Sequence, residues 1–195
     1  MNQFDYGMVM RALLLDESEC GDLAIVKEDN QRCFLALLDV LGHGKKARKV
    51  AISAKDFIEQ NYHKDLVEIM NDLHNHLLGT RGAVAALIRV DMGSGEMSYV
   101  GIGNIAVSIF RREQIRLVPK DGVIGYIMPR PVKQVIPLCQ KDIIIMFSDG
   151  LRQHFNISEC RDLFSQPAQK IAEELLNRLW KANDDASCIA FKYIP

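Results

Sequence analysis

Apolar residues in this chain come in short runs that end on acidic or glycine-containing turns. The sharpest is Cys33-Phe34-Leu35-Ala36-Leu37-Leu38, six apolar positions closed by Asp39. A run this short and unbroken suits a strand covered on both faces. Gly42-His43-Gly44 follows, and from Lys45 to Gln60 the positions Ala47, Val50, Ala51, Ala54, Phe57 and Ile58 recur at helical spacing. A second helix is predicted over about Leu66 to Leu78, with Leu66, Ile69, Met70, Leu73 and Leu77 on one side. Upstream, Met8 to Leu15 predicts a first strand. Residues 23–26 and 32–38 predict a hairpin around the polar turn Lys27 to Gln31.

Gly79-Thr80-Arg81-Gly82 breaks the helical pattern. Ala83 to Val90, Glu96 to Val100, Ile105 to Phe110 and Gln114 to Val118 then alternate with turns at the spacing of an antiparallel meander. Pro119 to Pro137 holds four of the six prolines and predicts irregular surface chain. Asp142-Ile143-Ile144-Ile145-Met146-Phe147-Ser148-Asp149-Gly150 repeats the earlier arrangement, an apolar strand running into an Asp. A helix over about Ala168 to Lys181 and a last strand, Ala186 to Tyr193, complete an α+β pattern. The expectation is one domain over residues 1–195.

Composition narrows the field. With 195 residues, 48% hydrophobic, the chain can bury one sizeable core. No apolar run approaches the roughly 18–20 residues of a membrane span, and the N-terminus lacks a basic-then-apolar signal. A net charge of −1 leaves no electrostatic footprint for nucleic acid. Five cysteines (Cys20, Cys33, Cys139, Cys160, Cys188) form no C-x-x-C pair, which reads as reduced thiols in a cytoplasmic protein.

Acidic residues stand at predicted strand ends: Asp22, Asp39, Asp149 and Asp184-Asp185. An unpaired buried carboxylate is costly, so a cation beside it would compensate. Hard oxygen donors without cysteine or histidine suit Mg²⁺ or Mn²⁺ rather than a structural zinc. Spacing alone leaves that reading open beside plain solvated strand ends.

Asp39-Val40-Leu41-Gly42-His43-Gly44, Phe147-Ser148-Asp149-Gly150 and Asp184-Asp185-Ala186-Ser187, with Gly21-Asp22 upstream, resemble the motifs of the metal-dependent type 2C serine/threonine protein phosphatases. Their order and strand context match over nearly the whole chain. The short length is most similar to the bacterial sporulation-protein-E-type branch, and within it to the RsbX-like stressosome phosphatases. The resemblance implies a four-layer α-β-β-α sandwich of two antiparallel sheets flanked by helices, with two Mn²⁺ or Mg²⁺ ions at one end. It implies that Asp39 bridges both ions, that Val40 gives its main-chain carbonyl, and that Asp149 and Asp184 hold one ion. Asp22 is expected to act mainly through water. The implied activity is hydrolysis of phosphoserine or phosphothreonine, by metal-activated water, on a phosphorylated STAS-type or stressosome regulator, with neither nucleic acid nor membrane as partner. The rival reading is a catalytically weak phosphatase-fold module that docks a partner without turnover.

Three departures from the animal enzymes stand out. Gly21 replaces their Glu, Glu17-Ser18-Glu19-Cys20 offers no phosphate-clamping Arg, and Gly79 replaces a third-metal Asp, with Arg81 nearby as a conceivable substitute clamp. Other features are set aside. Gly101-Ile102-Gly103-Asn104-Ile105-Ala106 fits a dinucleotide fingerprint but precedes a strand, and Gly44-Lys45-Lys46 lacks the rest of a P-loop. His74 and His76 at i, i+2 point apart and read as surface residues. His43, beside the metal loop, reads as a loop-shaping residue, with proton transfer as the alternative.

Overall fold

The computed structural model of the chain describes residues 4–13, 19–29, 31–152 and 161–194. Strands β1 (Phe4–Arg11), β2 (Asp22–Asp29) and β3 (Arg32–Val40) precede helices α1 (Lys45–Asn61) and α2 (Leu66–His76). Strands β4 (Ala83–Asp91), β5 (Glu96–Ile102), β6 (Ala106–Phe110), β7 (Gln114–Leu117), β8 (Gln134–Pro137) and β9 (Ile143–Phe147) follow. Helices α3 (Arg161–Phe164) and α4 (Ala168–Leu179) and strand β10 (Ala186–Tyr193) come last. The strands form two antiparallel sheets, ordered β1-β10-β9-β6-β7 and β2-β3-β4-β5-β8.

The unbroken apolar run of β3 is explained by what lies on each side of it. Successive side chains point to opposite faces of a strand. Cys33, Leu35 and Leu37 enter the core between the sheets, where they meet Ile144, Met146, Ile189 and Phe191 of the other sheet. Phe34, Ala36, Leu38 and Val40 face Ala47, Ala51, Ile58, Ile69 and Leu73 on α1 and α2. A third cluster joins Ile145, Phe147, Cys188 and Ala190 to Ile171, Leu175 and Leu176 of α4. The layers therefore run helix pair, sheet, sheet, helix, as the α-β-β-α expectation has it.

Local signals account for the boundaries. Asp65 caps α2, its carboxylate accepting from the Val67 amide at 2.9 Å. In the β4–β5 turn, Asp91 Oδ1 accepts from the amides of Gly93 and Ser94. Two expectations need correction. The first strand begins at Phe4 and ends at Arg11, because its register with β10 runs from Phe4↔Tyr193 to Arg11↔Ala186; the last two residues predicted for it, Leu14 and Leu15, lie outside the described residues. The proline-rich stretch is not wholly irregular, since β8 pairs with β5 at the sheet edge, from Tyr99↔Gln134 to Glu96↔Pro137. An edge strand tolerates Pro137 because only one side of it needs donors.

Candidate metal centre

Strand alternation carries the site. Asp39 continues the β3 face of Leu35 and Leu37, and Asp22 continues the β2 face of Ala24, so both point between the sheets. They are also direct cross-strand partners in the β2–β3 register. From the opposite sheet, Ser148 extends the face of Ile144 and Met146, and Ser187 that of Ile189 and Phe191. At this end the inter-sheet core changes from aliphatic to polar. Ser148 Oγ and Ser187 Oγ each donate to Asp22 Oδ2 at 2.6 Å. The Ser187 amide donates to Ser148 Oγ at 3.0 Å. Asp22 is 1% exposed, and its Oδ1 is buried without a hydrogen-bond partner among the described residues.

The remaining carboxylates come from the ends of β9 and β10. Asp149 follows β9, and its Oδ2 accepts from Asn104 Nδ2 at 2.9 Å. Asp184 Oδ1 accepts from the Asp185 amide at 2.9 Å, and its carbonyl accepts from the Trp180 indole at 3.1 Å. The second Asp of the pair turns the other way: Asp185 Oδ2 and Oδ1 accept from the Gly21 and Leu13 amides, each at 2.7 Å. Asp185 thus ties the start of β10 to the chain just before β2. Val40 points its side chain into the core beneath α1, so it can serve a ligand only through its main chain.

The electrostatics of this end are lopsided. Burial, then the charges of Asp22, Asp149, Asp184 and Asp185, push Asp39 up to about 9. Burial pushes Asp22 up to about 7 against the opposing pull of the Ser148 and Ser187 hydroxyls. Asp184 is raised by burial and by Asp149 and Asp185, with the Asp185 amide pulling it back. Neighbouring carboxylates that cannot all ionise call for a positive charge. Among the described residues no three His, Cys, Asp or Glu side chains already converge on one point. Mg²⁺ keeps several waters and binds through one or two carboxylates. The orphaned Asp22 oxygen and the all-oxygen donor set fit the same kind of ion.

Residues 29–194 match the family described as Stage II sporulation protein E, SpoIIE. The chain belongs to the SpoIIE family. It is 25% identical over 117 residues to the phosphoserine phosphatase RsbX of Bacillus subtilis (strain 168), covering 60% of this chain and 58% of RsbX. A structure described as "The bacterial stressosome: a modular system that has been adapted to control secondary messenger signaling" matches with a TM-score of 0.90 at 29% identity, covering 97% of this chain and 100% of that one. RsbX in complex with magnesium matches with a TM-score of 0.82 at 20% identity over 98% and 96% of the two chains. This SpoIIE-family member thus shares the fold of both structures.

The structure gathers Asp22, Asp39, Asp149 and Asp184 at one end of the sandwich, with Val40 adjoining. Asp22 is buried and held by two serines. Sequence reasoning missed Ser148, Ser187, Asn104 and the anchoring part of Asp185. The two serines were findable, since each lies in step with the inward positions of its own strand. His76 lies on the surface as expected, pairing with Ser53 and stacking on Phe57, whereas His74 is half-buried and its Nδ1 accepts from the Gly125 amide at 2.9 Å. Strand β6 follows the Gly101–Ala106 stretch, so the dinucleotide reading fails there. Cys20 is buried, and burial together with Asp22 and Asp185 pushes its thiol up to about 12, far from a nucleophile. Glu17 and Ser18 lie outside the described residues, as does Cys160. No helix among the described residues is long and apolar enough to cross a membrane.

Proposed function

We propose that this chain is a Mn²⁺- or Mg²⁺-dependent protein phosphatase. Its substrate would be phosphoserine or phosphothreonine on a bacterial stress-response regulator of the STAS or stressosome type, in the cytoplasm. One observation carries the reading: Asp22, Asp39, Asp149 and Asp184 share the inter-sheet end with charges that oppose one another. In this reading Asp39, the Val40 carbonyl, Asp149 and Asp184 would hold the ions, and Asp22 would act beside Asp39. A bound pair of divalent ions would supply positive charge for phosphoryl oxygens and a water of lowered pKa.

The chain's own residues would supply orientation. Ser148 and Ser187 fix the rotamer of Asp22 and favour its ionised form. Asn104 holds one oxygen of Asp149 and leaves the other free to turn toward a ligand. The Asp185 amide does the same for Asp184. Asp185 holds the segment before Asp22 against the start of β10. Support for the substrate comes from relatives: RsbX is a phosphoserine phosphatase, and the structure at 29% identity concerns the bacterial stressosome. The four described unpaired cysteines agree with a reducing compartment.

The test is phosphate release from a phosphorylated STAS-domain protein, from a phosphopeptide of the same sequence and from p-nitrophenyl phosphate, each with Mn²⁺, Mg²⁺ or chelator. Metal-dependent release, fastest from the folded phosphoprotein, is expected. Binding of the phosphoprotein with no metal-dependent release would favour the docking module instead.

A further inference from the structure

We propose that Arg81 is the side chain that grips the substrate phosphate, its guanidinium meeting phosphoryl oxygens beside the Gly42-His43 loop. The proposal deepens the phosphatase reading and rests on it. Because Val40 pairs with Ala83 and Asp39 with Val84, the Gly79–Gly82 turn lies at the same end of the sheet as the carboxylates. Gly42 stands three residues beyond Asp39, which bounds their Cα separation at about 11 Å. A Cβ placed on Gly42 would lie 2.8 Å from Arg81 Nη1, so the guanidinium rests directly on this loop. Gly42, at φ +80, has a backbone conformation that favours glycine.

Arg81 is exposed, and its described polar contact is a 3.5 Å approach of Nη1 to the His43 carbonyl. A guanidinium carries five N–H donors, so that contact leaves most of them for a ligand. No carboxylate pairs with it among the described residues, whereas Lys45, the first residue of α1, is drawn to Glu19 at 3.7 Å. The turn beneath Arg81 is firm. Thr80 Oγ1 donates to the Leu77 carbonyl at 2.7 Å and accepts from the Gly82 amide at 3.1 Å. The Leu41 amide donates to the Gly82 carbonyl at 3.1 Å, which joins the turn to the Asp39 loop itself.

The charge balance supplies the reason. A phosphate dianion approaching four carboxylates is repelled, and ions that neutralise the carboxylates leave little surplus for the outer phosphoryl oxygens. A rigidly based, unpaired guanidinium at the rim provides it, with the forked geometry that suits phosphate.

The test compares wild type, Arg81→Ala and Arg81→Lys in Mn²⁺. The readouts are KM and kcat for p-nitrophenyl phosphate, calorimetric binding of inorganic phosphate, and the Mn²⁺ half-saturation point. Arg81→Ala should weaken phosphate binding and raise KM by roughly tenfold or more. Half-saturation by Mn²⁺ and the melting temperature should stay unchanged, and added methylguanidinium should recover part of the loss. Arg81→Lys should fall between the two, because one ammonium cannot match the fork. If wild type turns over and Arg81→Ala binds phosphate as tightly as wild type, the Arg81 assignment falls and the phosphatase reading survives. If wild type binds phosphate through Arg81 but hydrolyses nothing, the turnover reading falls and Arg81 stands.

Discussion

Asp22 and Asp39 are register partners with different surroundings, and hydrogen bonding separates them. Burial raises both carboxyls; two hydroxyls at 2.6 Å oppose that at Asp22, whereas at Asp39 the charges of Asp22, Asp149, Asp184 and Asp185 add to it. Asp39 is therefore the group whose ionisation most needs a cation. Asp39→Ala should lower turnover by about a hundredfold or more while circular dichroism stays native. Near-normal turnover at saturating Mn²⁺ would refute the bridging part given to it. The serines predict a stability effect instead. Ser148→Ala removes a donor to Asp22 and strands the buried Ser187 amide, and should cost about 1–3 kcal/mol in urea unfolding. Ser187→Ala, which loses only its hydroxyl, should cost less; an equal or larger loss would show that the network is read wrongly.

At the scale of elements, the site depends on how closely β9 and β10 are joined just past their ends. A Cβ on Gly150 would sit 1.9 Å from the Asp185 carbonyl oxygen and 3.0 Å from Ala186 Cα. The Gly150 carbonyl also accepts from the Lys181 amide at 3.0 Å, and Leu151 bridges to Trp180. There is no room for a methyl group without moving the Asp184-Asp185 turn away from Asp149. Gly150→Ala should therefore cost about 1–3 kcal/mol and lower Mn²⁺ affinity as well. Calorimetric titration of the folded variant checks the second part, and unchanged affinity would mean that the turn does not help to set the site. The elements themselves were largely legible. The spacing of Ala47, Ala51, Ala54 and Ile58 marks α1, and Ala186 to Tyr193 is the final strand with the expected bounds. Strand β8 was hidden because its pairing with β5 is an edge contact with no periodic apolar signature of its own.

For the whole molecule, the clustered carboxylates make stability depend on pH in a definite direction. Asp39 and Asp22 bind protons more tightly in the folded chain, at about 9 and about 7, than a free Asp near 3.9 would. A raised folded value means that the folded state holds the extra protons. The contribution is full below about pH 4 and is lost as pH rises through 7 and then 9. In chelator, the melting temperature should fall between pH 6 and pH 9. Mn²⁺ should raise it most at the alkaline end, where the cluster is ionised and binds the ion best. Differential scanning fluorimetry on a pH-by-metal grid measures this. A metal-free melting temperature that rises toward pH 9 would contradict the electrostatic account.

The sequence by itself determined what depends on near neighbours. It carried the two-sided burial of Cys33 to Leu38, the helical spacing after Lys45, the last strand, and the acidic residues that close apolar runs. From these an α+β domain could be named and Asp22, Asp39, Asp149 and Asp184-Asp185 singled out, while the sandwich was implied by the resemblance of their motifs. Only the tertiary structure decided which faces meet. That Ser148 and Ser187 reach Asp22, 126 and 165 residues away in the chain, follows from one sheet packing on another. Asp185 turning toward Gly21 while Asp184 stays with the cluster, and Arg81 lying against Gly42, are decided the same way. Strand alternation tells which side a residue takes, because it is a local property of the backbone. What waits on that side is set by long-range packing, which no window of sequence contains.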